Sequence, residues 1–150
     1  MTRAIFHRVS ALGFGWNERQ LTEEHFYKLC RKFKITVNRL PLKVRGYYTK
    51  VNGVDHITLS SHLSSFQELF VMWHEMGHFL MHAPAMARQA KFSGHCEDDR
   101  EEKEADAFAY CAILPISDLS TIPLEVLLEE QCFSPRFLME RLKVHDEYGI

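Results

Sequence analysis

Between Thr22 and Lys34 the apolar residues Phe26, Tyr27, Leu29, Cys30 and Phe33 recur at helical spacing. Thr22 stands at the N-cap, Glu23 and Glu24 fill the first turn, and Arg31, Lys32 and Lys34 lie at the far end, an order that suits the helix dipole. This predicts an amphipathic surface helix over 22–34. The period then shortens. Ile35–Leu40 is short, β-branched and closed by Pro41. Val44–Lys50 and Val54–Ser60 flank Val51-Asn52-Gly53, and Asn-Gly is a strong hairpin signal. Three strands in a small antiparallel or mixed sheet are expected.

The next stretch, Ser64–His82, returns to helical spacing but is apolar nearly all round, through Phe66, Leu69, Phe70, Met72, Trp73, Met76, Phe79 and Leu80. A helix without a polar face belongs inside. Ser64 and Ser65 are good N-caps, with Gln67 and Glu68 in capping-box register. Ala83-Pro84 disfavours continuation past His82. Residues 84–97 read as a surface loop. Asp98 or Asp99 opens another helix, in which Ala105, Phe108, Ala109 and Ala112 make a narrow stripe of mostly small residues; Gly77 is the matching flat spot on the buried helix. Pro115 ends it. Two short helices follow, Leu124–Gln131 and, behind the Ser134-Pro135 cap, Arg136–His145. Residues 1–19 carry no clear pattern beyond a loop at Gly13 and Gly15. The expected fold class is α+β, one domain over 1–150 with a helical part at 117–150.

Composition narrows the function. Apolar content is 46% and charged content 25%, ordinary for a globular domain. A net charge of −2 supplies no field that would draw nucleic acid or an anionic membrane. Charges interrupt every apolar run, so no membrane span is expected, and the first 16 residues lack an uninterrupted apolar core of signal-peptide length. Cys30, Cys96, Cys111 and Cys132 are widely spaced, which favours reduced thiols in a cytoplasmic protein over a disulfide framework. The C-terminal helix pair has the outline of a helix-turn-helix. However, Arg136, Arg141 and Lys143 are diluted by Glu140, Asp146 and Glu147, so packing is the better reading.

The chemistry lies in His74-Glu75-Met76-Gly77-His78. Residues i and i+4 stack on one helix face, so both imidazoles can reach one metal ion. Glu75 lies about 100° round the axis, beside the ion, where it can reach a metal-bound water. With nine His among 150 residues, chance placement gives roughly 0.05 such motifs, so coincidence is a poor explanation. A catalytic zinc takes three protein ligands. Glu104, at the edge of the buried stripe, is the expected third, with Glu101 the alternative and Asp106 weaker because it projects about 200° away. His56 is read as a non-ligand, and His95-Cys96 lack a partner pair. His82, about 12 Å beyond His74 along the axis, is read as a polar helix-end residue or a substrate contact.

ITLSSHLSSFQELFVMWHEMGHFLMH followed by EKEADAFAYCAILP resembles the ImmA/IrrE family of small bacterial and phage zinc metallopeptidases. The family pattern is H-E-x-G-H, then E-x-E-A-x-x-F-A and an aliphatic-Pro end. Here it is met by His74–His78, Glu102–Ala109 and Ile113-Leu114-Pro115, within a resemblance over roughly residues 20–145. The resemblance implies a minimal zincin fold, a small three-stranded sheet packed on the first helix and two metal-site helices. It implies one Zn²⁺ per chain on His74, His78 and Glu104, with Glu75 as catalytic base. It also implies a cytoplasmic protein whose partner is a helix-turn-helix repressor; with the charge balance above, no direct nucleic-acid contact is expected. Oxyanion donors are open among Tyr110, His82, Arg100 and His95. A zinc-containing regulator that binds a repressor or senses metal or redox state with little turnover keeps the same residues; a DNA-binding module built on the C-terminal helices is the third and weakest reading.

Overall fold

The computed structural model describes residues 2–83 and 99–150. The elements run α1 (Thr2–Ser10), α2 (Glu23–Phe33), β1 (Ile35–Leu40), β2 (Gly46–Val51), β3 (Val54–Ser60), α3 (Ser65–Gly77) prolonged by a π turn (His78–His82), α4 (Asp99–Ile113), α5 (Ile116–Thr121), α6 (Leu124–Glu129) and α7 (Pro135–Tyr148). The fold is α+β, consistent with a minimal zincin. The chain forms two compact units, residues 21–109 and residues 1–20 with 110–150.

In the first unit the sheet is mixed, in the order β1-β3-β2. Asn52 and Gly53 both take positive φ, 50° and 76°, the signature of the tight turn whose twist matches a hairpin. This ties β2 antiparallel to β3. On the other side of β3, β1 runs parallel, with Ile35 opposite Asp55 and Leu40 opposite Ser60. The end of β3, Ile57 through Ser60, is buried and leads into α3. There the capping box expected at Ser64 forms: the Gln67 N–H donates to Ser64 Oγ at 3.3 Å and the Ser64 N–H donates to Gln67 Oε1 at 3.1 Å. Val71, Met72, Trp73 and Met76 are buried. The Trp73 ring meets Phe26 at 6.0 Å and Phe108 at 6.4 Å between centroids.

Phe108 also explains Gly77. A Cβ built on Gly77 would lie 3.0–3.2 Å from the Phe108 Cδ1, Cβ and Cγ atoms. Phe108 Cβ is anchored to the α4 backbone and cannot swing aside. Gly77→Val is therefore expected to cost about 1–3 kcal/mol through overpacking, read as a lower denaturant midpoint at unchanged slope; unchanged stability would mean that α4 does not press on α3 here.

The second unit holds two helices without a forecast, α1 and α5. Phe6 of α1 stacks on Trp16 at 5.7 Å and meets Tyr148 edge-on at 5.4 Å. In α7 the Ser134 cap accepts from the Phe137 N–H, and Phe137, Leu138, Arg141 and Val144 are buried. Arg141 is fully buried and donates to the carbonyls of Leu114 and Ile150 and to Asn17 Oδ1, at 2.7, 2.9 and 3.2 Å. Lys143 pairs with Glu140. Two of the three cations that gave this pair its DNA-binding look are thus engaged within the protein. No helix among the described residues is long and apolar enough to cross a membrane.

The three described cysteines are free thiols. Burial pushes Cys30 and Cys111 up to about 12, while Cys132 is exposed. An unfolded thiol titrates near ~8.5. The stability these two buried neutral thiols contribute is therefore fully present below that pH and is lost as pH rises towards 12. In a Cys96→Ser background, one thiol should react rapidly with a disulfide reagent and two only on unfolding; fast reaction of all three would contradict the burial of Cys30 and Cys111.

Candidate metal centre

The i,i+4 spacing on α3 brings the two imidazoles together as expected. His74 Nε2 and His78 Nε2 are 3.1 Å apart. The third member of the group is Glu102, with Oε2 3.3 Å from His74 Nε2 and Oε1 2.9 Å from His78 Nε2. Among the described residues, these three form the group able to hold a metal ion. Their atoms outline a triangle with edges of 2.9–3.3 Å. Tetrahedral zinc with bonds of about 2.0–2.1 Å needs ligand atoms about 3.3 Å apart, so the residues present fit the ion. Glu102 is half exposed, at 48%, which keeps one side of the group open.

The charges agree with a cation site. Burial pulls His74 down, but its bonds to Asp106 and Glu102 prevail and hold it up at about 10. Bonds from His74 and His78 hold the Glu102 carboxyl well below its usual range, against the opposing effect of burial. Without a metal, a proton supplies the positive charge this cluster demands. Asp106, ranked low as a ligand, accepts from His74 Nδ1 at 2.8 Å. This turns the His74 Nε2 lone pair towards the triangle, the usual way a neighbouring carboxylate orients a metal-bound histidine.

Glu104 lies elsewhere, and the third-ligand expectation moves with it. Glu102 and Glu104 differ by about 200° around α4, so only one can join His74 and His78. Glu104 is fully buried, with Oε2 2.9 Å from His82 Nε2 and Oε1 3.1 Å from Arg100 Nε. Burial at the edge of the stripe therefore marks a pairing with His82 and Arg100. A signal for Glu102 was present in the sequence: Glu102 and Asp106 are spaced i,i+4 on one face, as His74 and His78 are. Glu101 is not in the metal-holding group either.

Glu75 is buried, and burial pushes its carboxyl up, opposed by His74 and His78. It follows His74 directly on α3, beside the triangle rather than in it. Gly46, at the start of β2, lies against it. A Cβ there would fall 3.7 Å from Glu75 Cγ, 2.7 Å from Val71 Cγ1 and 2.9 Å from the Thr58 carbonyl oxygen. Only glycine lets this strand approach so closely. Of the oxyanion candidates, His82 and Arg100 are committed to Glu104, the Tyr110 ring packs on Phe137, and His95 lies outside the described residues, as does Cys96. His56 Nδ1 is 3.3 Å from Asn38 Nδ2 across the sheet.

The family model Peptidase_M78, described as an IrrE N-terminal-like domain, matches residues 30–147. No curated protein matches the chain.

Proposed function

The chain belongs to the IrrE N-terminal-like peptidase family, and from that premise we propose that it is a zinc-dependent endopeptidase of the cytoplasm that cuts a helix-turn-helix repressor. The observation that carries the reading is the triangle of His74, His78 and Glu102 with Glu75 adjoining it. His74, His78 and Glu102 would hold the ion, and Asp106 orients His74. Bound there, zinc lowers the pKa of a water towards neutrality and polarises a carbonyl.

The chain's own groups do the rest. Glu75 accepts the proton of the attacking water and returns it to the leaving amine. Its raised pKa suits a base that must also donate. β2 is an outer strand of the sheet, and a Cβ on its first residue, Gly46, would lie 3.7 Å from Glu75 Cγ. An extended peptide added along the edge of β2 that is unpaired among the described residues would lie beside the base, held by main-chain bonds. Half exposure of Glu102 and Asp106 leaves the approach open.

The partner reading rests on physical economy as well as family. A cleft formed by one strand and two helices offers few side-chain pockets, so selectivity would come from a larger docking surface. Met139 and Leu142 of α7 are exposed, at 59% and 45%, and are suited to that contact. Incubation with zinc and the repressor encoded beside its gene should give one cut, seen by mass spectrometry and stopped by a chelator. Met139→Glu with Leu142→Glu should slow that cut while leaving zinc bound. Efficient digestion of casein with no preference for the repressor would contradict a dedicated substrate.

A further inference from the structure

His82 and Glu104 form a second histidine–carboxylate pair that the hydrolytic mechanism above does not use. Both are buried, at 4% and 0% exposure. The π turn at His78–His82 sets the His82 ring back over His78, with ring centroids 5.3 Å apart. The two Nδ1 atoms face each other at 3.2 Å. Such widened turns often sit at functional sites.

We infer that His82, held by Glu104 and Arg100, is a positioning residue that fixes the tautomer of His78 and so presents the His78 Nε2 lone pair to the metal. The proton positions follow from donor chemistry. The Arg100 guanidinium can only donate, and it donates from Nε to Glu104 Oε1 at 3.1 Å. The carboxylate, an acceptor only, is the form of Glu104 that a bonded guanidinium favours, and its Oε2 lies 2.9 Å from His82 Nε2. That nitrogen carries the hydrogen. In neutral imidazole the other nitrogen is then bare, so His82 Nδ1 accepts and His78 Nδ1 donates. The hydrogen of His78 is placed on Nδ1, and its Nε2 turns bare towards Glu102 and His74. Asp106 does for His74 in one step what His82 and Glu104 do for His78 in two. The inference rests on the metal reading above.

The test uses the full chain and zinc. Long-range proton–nitrogen NMR of the zinc-loaded protein should show His78 protonated at Nδ1, and His82 protonated at Nε2 with Nδ1 bare; a bare His78 Nδ1 would overturn the inference without any substitution. Zinc affinity is then measured by chelator competition. Removal of such an outer group costs about 10- to 100-fold in metal affinity. His82→Phe keeps a ring but loses the acceptor and should show that loss. His82→Gln, whose amide oxygen can accept from His78 Nδ1, should recover most of it. Equal zinc affinity in wild type and His82→Phe would overturn the inference while leaving the metal centre standing. No zinc binding by the wild type would instead remove the metal reading, and this inference with it.

Discussion

Glu75→Gln is expected to cut peptide hydrolysis by about 10²- to 10⁴-fold, the range contributed by a positioned general base, while zinc affinity stays within a few-fold of wild type. The carboxylate and the amide have nearly the same shape, so buried Glu75 can be replaced without a cavity or a clash. What is lost is the ability to accept a proton from water. Glu75 is not in the group that can hold the ion, so the metal has no reason to leave. Cleavage of the repressor, followed by mass spectrometry, and zinc, followed by chelator competition, should therefore separate cleanly. The same variant distinguishes the two readings that share these residues. If Glu75→Gln still inactivates the repressor in cells as wild type does, the chain works by binding or sensing, and peptide hydrolysis is not its task.

Glu102→Ala should lose zinc by more than the roughly 10- to 100-fold that an outer group costs, because it takes one of three converging donors out of the triangle. Glu104→Gln should keep one zinc per chain at reduced affinity, since Glu104 acts at two removes through His82. Elemental analysis of the purified variants and chelator competition read both. The reverse outcome, full zinc on Glu102→Ala and none on Glu104→Ala, would return the ligand to Glu104. Substitution of Glu101 should leave the metal in place. Removal of zinc by a chelator should abolish cleavage in every variant that retains it.

Much of this protein is written locally. The i,i+4 spacing of His74 and His78, the one-residue offset of Glu75, the Ser64 capping box, the Asn52-Gly53 turn and the Ser134-Pro135 cap all act over four or five residues. Backbone geometry alone converts such patterns into structure. The small-residue stripe of α4 and the flat spot at Gly77 were equally legible, because close packing demands missing side chains on both partners. Tertiary structure decided what local patterns leave open. In the acidic run Glu101, Glu102, Glu104 and Asp106, each step of one residue along the chain turns the side chain by about 100°. The one that meets His74 and His78 depends on how α4 is rotated against α3, where Phe108 lies against Gly77. Glu104 then turns inward to His82 and Arg100, and Glu102 turns outward to His74 and His78. The sheet's parallel β1–β3 pairing and the α1 helix, whose Phe6 finds Trp16 and the distant Tyr148, were settled in the same way. In each case the stabilising contact lies far along the chain, and no neighbouring residue announces it.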